Sequence, residues 1–336
     1  MNLDPSVFLS LAFLFGIAAH FRAMDGYSFL RRLISSLERK VGVLYAVVLI
    51  ASLFSPLVLN DVVVLILTPA MARYAKQFKV DIAPLLVAEI SFVNIASSLT
   101  PFGNPQNLLL WESSGISATQ FVIGTWQPLL ISGVLTAAAL YYFSRRAGGE
   151  REFSTPVTGR WPLVYLVAVG AIVFSLDTLG VPSVLTLGLA FLLGFAFTFR
   201  TLRSFAREFD YRSLLILYLL IGSIMVVGVL LSSELSPYIA PAARGDQPYS
   251  AAFVGLTSNL ISNVPATQLL LGTVGVSVRA APRIAVEAGL AGNITPIGSF
   301  ANILGLVLVK RAGLPVRRAI LLQVVVGLVS FLPALL

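Results

Sequence analysis

Long apolar blocks separated by short charged breaks dominate the chain. Uninterrupted blocks occupy 5–21, 119–143, 161–178, 182–199, 213–231 and 315–336. Each is close to the ~20 residues a helix needs to cross a ~30 Å hydrocarbon core, so each predicts one transmembrane helix. Four further blocks, 41–76, 82–115, 249–277 and 282–311, are interrupted near their middles by polar or Gly/Pro clusters. A lipid-facing helix cannot carry such a break, because the freed backbone groups find no partner in hydrocarbon; the breaks must be buried in protein or line a cavity. Residues 26–39 follow another pattern. Leu30, Leu33, Ile34, Leu37 and Val41 recur at helical spacing, with Arg31, Arg32, Glu38 and Arg39 on the other side, which predicts an amphipathic helix lying in the membrane interface.

Composition supports this reading and narrows the setting. Of 336 residues 57% are hydrophobic and 11% charged, with a mean hydropathy of +0.90, against roughly 45–50% apolar and ~25% charged in soluble domains. The chain is therefore expected to be dissolved in the lipid bilayer. It has no cysteine and a single histidine, His20, which excludes thiolate metal sites, iron–sulfur clusters, thiol catalysis and multi-histidine centres. The net charge of +8 sits in short loops between apolar blocks, so it is a topology signal and no nucleic-acid partner is expected. No nucleophile–base arrangement, Walker string or metal-binding helix motif is present, and neither an enzyme nor a bound cofactor is indicated. The first block lacks a basic leader and a small-residue cleavage site, so it reads as a retained helix. His20, beside Arg22 at its end, reads as an interfacial residue, and 145–160 as a solvated linker.

The most informative feature is an internal repeat. Residues 96–107, ASSLTPFGNPQN, align without gaps on 291–302, AGNITPIGSFAN, pairing Ala96 with Ala291, Thr100 with Thr295, Pro101 with Pro296, Gly103 with Gly298 and Asn107 with Asn302. Each block follows a second break at a comparable distance, around Asn60 and around Asn263. The expected organisation is repeat one at 1–143 (interrupted blocks 41–76 and 82–115), a linker with two connecting helices at 144–212, and repeat two at 213–336 (249–277 and 282–311). If one interrupted block per repeat is a re-entrant hairpin and the other crosses fully, five crossings separate the repeat starts. An odd number inverts the second repeat. The side carrying 22–40, 73–79, 144–160, 200–212 and 310–318 then holds 20 Lys and Arg, and the other only Arg244, Arg279 and Arg283. Positive residues stay inside, so both termini are expected outside the cytoplasm. Charge does not decide which block is the hairpin: swapping the roles gives 19 against 4.

Asn60-Asp61 followed by LILTP (Leu65 to Pro69), SSLTPFGNPQN (Ser97 to Asn107) and SNLISNVPAT (Ser258 to Thr267) resemble the arsenite/sodium–proton permease branch of the ion transporter superfamily. Within it the likeness is greatest to anion permeases related to the citrate and dicarboxylate transporters, and it spans both repeats. The resemblance implies an all-α polytopic membrane protein of two inverted repeats, each with a re-entrant hairpin first and a broken transmembrane helix second. It places Asn60-Asp61 and Asn263 at hairpin tips, makes 100–107 and 295–302 the unwound links, and implies a homodimer in the cytoplasmic (inner) membrane. The tips here read Leu59-Asn60-Asp61 and Ser262-Asn263-Val264, unlike the Ser-Asn-Thr of the dicarboxylate carriers.

On this arrangement four half-helices begin near mid-membrane, after Asp61, Asn263, Asn104 and Ser299. Each is preceded by a residue type that caps helices, and Pro105 and Pro265 fall where a missing N–H costs little. Convergent helix N-termini hold an anion without any basic side chain. Asp61, an ionisable group at bilayer depth, reads as a cation ligand or proton carrier. Binding is thus assigned to Asn60, Asp61, Ser98, Thr100, Gly103, Asn104, Asn107, Ser262, Asn263, Thr267, Asn293, Thr295, Gly298, Ser299 and Asn302, with Na⁺ placed at Asn60, Asp61 and Asn263 and H⁺ as the other coupling ion. Glu89 and Glu287, about 16 and 12 Å along their helices from the breaks, read as residues reaching toward an interface. The expected function is secondary active transport of a small anion, an oxyanion or carboxylate, by alternating access. A Na⁺/H⁺ antiporter or an arsenite efflux permease of the same fold is the alternative.

Overall fold

The computed structural model describes residues 5–144, 161–230 and 232–335. Among these the chain is helical, without strands: α1 (Pro5–Ala23), α2 (Gly26–Phe54), α3 (Asn60–Phe78), α4 (Ile82–Ser97), α5 (Pro105–Ser114), α6 (Ala118–Ser144), α7 (Trp161–Thr178), α8 (Ser183–Thr198), α9 (Leu202–Glu208), α10 (Tyr211–Leu230), α11 (Ser232–Ala243), α12 (Tyr249–Ile261), α13 (Asn263–Thr273), α14 (Ala280–Ala291), α15 (Phe300–Arg311) and α16 (Arg317–Phe331). The linker expected at 145–160 lies outside the described residues. Helices α6, α7, α8 with α9, and α16 are long and apolar enough to cross a membrane.

Each interrupted block is two helices joined by a non-helical stretch. In the first repeat the second half of α2 turns at Ser55–Leu59 into α3, and α4 passes through an unwound link into α5; in the second, α12 turns at Ser262 into α13, and α14 passes through its link into α15. The sixteen residues of α4 span only ~24 Å, so the crossing needs α5 as well. With α1 and α4–α5 counted as crossings beside α6, α7 and α8, an odd number separates the repeat starts, as two inverted repeats require. The repeats interlock: α3 packs on α15, and α13 packs on α5. Each hairpin arm thus lies against the helix that follows the other repeat's break.

The loops between these elements carry local stop and start signals. Asp81 caps α4 by accepting from the Ala83 amide at 2.9 Å and pairs with Arg318 at the head of α16. Lys79 closes α3, and Gly115 closes α5, in the left-handed conformation.

Some polar side chains are placed differently from the sequence expectation. His20 is fully buried within the protein, packed against α8 and α9, with Nδ1 2.9 Å from Thr198 Oγ1 and its ring stacked 4.3 Å from Phe205. The amphipathic segment is continuous with the hairpin arm through a kink at Gly42. Phe29 and Ile34 face the core, but Val41 is exposed and Glu38 is buried, because Tyr74 of α3 reaches over and donates a hydrogen bond to it. At the corresponding place in the second repeat, between α10 and α12, stands α11, a helix that contains Pro237 and Pro241.

Glu38 lies outside the membrane-spanning segments, and its burial raises the carboxyl above its ordinary value, with the Tyr74 hydroxyl pulling the other way. An acid whose folded-state pKa is raised holds its proton more tightly folded than unfolded. That contribution to stability is complete below the ordinary carboxylate range and is lost as pH rises through the folded value. Thermal unfolding followed from about pH 4 to pH 7 should show stability falling more steeply with pH in the natural chain than in Glu38→Gln; parallel curves would remove Glu38 as the cause.

Candidate functional site

At each tip the hairpin is tied to the link of its own repeat by the same bonds. The Asn60 amide donates to the Gly103 carbonyl at 2.9 Å, and the Asn263 amide to the Gly298 carbonyl at 3.1 Å. One residue on, the Asp61 and Val264 amides each donate to the side-chain oxygen of the tip asparagine at 2.9 Å. Thr100 Oγ1 donates to the Pro56 carbonyl at 2.6 Å, and Thr295 Oγ1 to Asn259 Oδ1 at 2.8 Å. The links are held open in the same way. Asn107 Nδ2 donates to the carbonyls of Ser97 (3.1 Å) and Thr100 (2.8 Å), and Asn302 Nδ2 to those of Gly292 (2.5 Å) and Thr295 (3.0 Å). The Ser97 and Gly292 carbonyls lie where the helices end, and the Thr100 and Thr295 carbonyls also accept from the Gly103 and Gly298 amides, so each asparagine spans its link from the helix end to the turn.

The helix starts differ from the sequence expectation in one respect. Only Asn104 caps with its side chain, accepting from the Asn107 amide at 3.0 Å. Helix α3 begins at Asn60 with Leu59 in the cap position, so Asp61 sits inside the first turn rather than capping it. Ser262 and Ser299 form no side-chain cap bond. The hairpin helices spend their first amides on the links and the tip asparagines, whereas the amides of Gln106, Phe300 and Ala301, in the first turns of α5 and α15, have no backbone acceptor. Free partial positive charge is therefore concentrated on the two link helices.

The sequence reading missed the residue that joins the two halves. Asn94, buried in α4, donates through Nδ2 to Asn293 Oδ1 and Asn302 Oδ1, both at 3.0 Å, and accepts through Oδ1 from Ser299 Oγ (3.0 Å) and Asn60 Nδ2 (3.4 Å). One amide thus contacts the first hairpin tip, the second link and α15. Its position in the other repeat is Gly289, where a Cβ would lie 1.7 Å from Ser98 Oγ.

A cavity of about 370 Å³ opens between the tips. Of the candidate residues, Asn60, Asp61, Ser262, Asn263 and Ser299 line it, together with Gln106 and Ser213, which the sequence reading did not select. Ser98, Thr100, Gly103, Asn104, Asn107, Thr267, Asn293, Thr295, Gly298 and Asn302 do not reach its wall. All of these but Thr267 belong to the frame just described or pack beside it; Thr267 is buried with its hydroxyl unpartnered. Among the described residues no basic side chain lines the cavity, and Asp61 Oδ1 lacks a hydrogen-bond partner.

Glu89 and Glu287 do not reach an interface; both are fully buried. Thr68 Oγ1 lies 2.9 and 2.8 Å from the two Glu89 oxygens, and Glu287 accepts from Gln247 and Ser250, each at 2.6 Å. These contacts fasten α4 to α3, and α14 to α12 and the loop before it.

A helical membrane protein in which two inverted repeats bring hairpin tips and broken helices to one shared cavity is a membrane transporter. The chain belongs to the citrate transporter (CitMHS) family, whose model matches residues 4–288. It is similar to the inner membrane protein YbiR of Escherichia coli, with 30% identity over 80% of this chain and 69% of that protein. It is also similar to the uncharacterized transporter MJ0456 of Methanocaldococcus jannaschii, with 26% identity over 80% and 72%. Among solved structures, the YdaH transporter of Alcanivorax borkumensis shares the fold, with a TM-score of 0.52 and 16% identity, over 98% of this chain and 83% of that one. The family is one of transporters and MJ0456 carries that name, so the chain is a transporter and not an enzyme.

Proposed function

We propose that the chain is a secondary active transporter that moves a small anion across the cytoplasmic membrane, coupled to Na⁺ or H⁺, by alternating access. In this reading both termini lie outside the cytoplasm and the working unit is a homodimer. The observation that carries the proposal is the composition of the cavity wall: unacceptored amides at the starts of two link helices, tip asparagines and, among the described residues, one carboxylate and no basic side chain. The amides attract an anion, while an ionised Asp61 at ~5 Å would repel it by about 3 kcal/mol at an effective dielectric of ~20. The anion is therefore admitted only with a cation that neutralises Asp61, and this requirement is the coupling. Asn60 and Asn263 supply further oxygens beside Asp61, which suits Na⁺, a hard cation.

The test is uptake into proteoliposomes of an anion panel, with and without a sodium or proton gradient. Asp61→Asn is expected to keep anion exchange and to lose gradient-driven accumulation, and Asn60→Ala or Asn263→Ala to lose anion binding with folding retained. Gradient-driven accumulation undiminished in Asp61→Asn would refute the assignment. Sodium–proton exchange indifferent to every anion would favour the antiporter reading.

A further inference from the structure

We propose that α9 and the helix ends beside it form a docking surface for anionic phospholipid, with arginines binding the headgroup phosphates of the leaflet that this end of the molecule faces. Such binding lies outside the cavity and holds whatever anion is carried.

Helix α8 ends at Thr198 and passes through a single 3₁₀ turn, Phe199–Thr201, into the seven residues of α9. So short a helix does not stand by itself, and α9 is fastened along one side. Phe205 stacks on buried His20 at 4.3 Å, and Arg22 of α1, itself buried, pairs with Glu208 at 3.5 Å. At about 100° per residue, Arg203 and Arg207 fall opposite Phe205, and both are exposed. Arg200 and Arg212, which flank α9, are exposed as well. The neighbouring acids are already engaged. Glu208 is held by Arg22, and the two oxygens of Asp210 accept from the Ser213 amide at 3.0 Å and the Ser213 hydroxyl at 2.7 Å. Among the described residues none of the four arginines forms an ion pair.

Aromatic rings set the depth of this surface in the membrane. Trp161 at the head of α7 meets Phe197 near the end of α8 at 6.1 Å, so the two helix ends share one level, and Trp161, Phe199 and Tyr211 are exposed there. Exposed Trp and Tyr at the ends of membrane spans mark the headgroup region. The Arg200 guanidinium lies 5.1 Å from the Phe199 ring centre and that of Arg212 5.8 Å from the Tyr211 ring centre, so cations and rings occupy the same depth. A guanidinium binds phosphate through paired N–H donors, and a cluster of uncompensated cations at this level favours an anionic lipid over a zwitterionic one, which brings its own cation. A second copy of the chain seated on the same face would set four arginines against four. A soluble phosphate would leave exposed Phe199, Leu202 and Tyr211 uncovered, whereas a phospholipid covers them with its acyl chains.

The experiment is thermal unfolding of the full-length purified protein in a non-ionic detergent, titrated with phosphatidylglycerol, with phosphatidylcholine of the same acyl chains, and with inorganic phosphate. Phosphatidylglycerol is expected to raise the unfolding temperature well above the effect of the other two, and about 1 M salt to weaken that response. Arg203→Gln combined with Arg207→Gln changes only exposed side chains opposite the anchored face. It should raise the phosphatidylglycerol concentration needed for half the effect by about fivefold per arginine, and Arg203→Lys with Arg207→Lys should restore most of the loss by restoring the charge. Equal stabilisation by phosphatidylcholine would overturn the proposal, since acyl chains alone would then suffice. A response to inorganic phosphate matching that to the lipid would overturn it by removing the need for a bilayer. An unchanged phosphatidylglycerol titration in the glutamine pair would place the lipid elsewhere. A change of oligomeric mass in that pair, read by light scattering with the lipid response intact, would assign the face to a second copy and overturn the proposal too.

Discussion

Asn94→Ala is expected to leave a chain that inserts in the membrane but neither transports nor survives heating as the natural protein does. The substitution removes one side chain and strands four groups: the Asn293 and Asn302 side-chain oxygens lose a donor, and Ser299 Oγ and Asn60 Nδ2 lose an acceptor. Buried groups left unsatisfied cost about 1–3 kcal/mol each, against a total stability of only about 5–15 kcal/mol. The unfolding temperature should fall by at least about 5 °C. Function should fall further, because the lost bonds are those that set the first hairpin tip against the second link. Asn94→Asp sharpens the comparison. It keeps the oxygen that Ser299 and Asn60 address but loses the N–H pair facing Asn293 and Asn302, so it should also be inactive. Unfolding curves of both variants, with binding of the anion that stabilises the natural chain, provide the check. A normal unfolding temperature and normal binding in Asn94→Ala would show that the hub is not what aligns the two halves.

That residue also marks the limit of what the sequence disclosed. The plain helices were legible because uninterrupted apolar blocks of membrane length admit one solution. The links were legible because Thr-Pro-x-Gly and a following asparagine occur twice, and those residues clamp the unwound backbone through the same bonds in both repeats. Asn94 escaped because repeat comparison finds what the halves share, and here they differ: Asn94 in one, Gly289 in the other. Gln106, opposite Ala301, escaped for the same reason. Glu89 and Glu287 were misplaced because helical rise measures distance from a break, while their burial is set by neighbouring helices, α3 for one and α12 for the other. Asp61 was taken for a helix cap because its type suits one; the backbone starts the helix two residues earlier, with Leu59 as the cap, and Asp61 lines the cavity. The shared features thus build the frame and the tips, while the unshared Asn94 joins the halves.

Gly103→Ala is expected to abolish transport, and Gly298→Ala to impair it less, although the two glycines are equivalent in the repeats. A Cβ on Gly103 would sit 2.1 Å from the Ser97 carbonyl oxygen and 2.8 Å from the Ser97 carbonyl carbon and Cα. All three are backbone at the end of α4, where no rotamer change gives relief. The link would have to move off the helix end, carrying with it the Gly103 carbonyl that receives the Asn60 amide, so the hairpin tip and the cavity wall would shift together. On Gly298 the closest approaches are 2.9 Å to the Gly292 oxygen, 3.0 Å to Asn259 Oδ1 and 3.1 Å to the Ala291 oxygen. One of these is a side chain, and displacements of a few tenths of an ångström suffice. Overpacking of this kind costs about 1–3 kcal/mol where the surroundings yield and more where they do not. The expected ranking is therefore natural chain, then Gly298→Ala, then Gly103→Ala, both in unfolding temperature and in uptake by proteoliposomes. The reverse order would mean that the first link is the softer of the two and that the Asn60–Gly103 bond does not hold the tip in place.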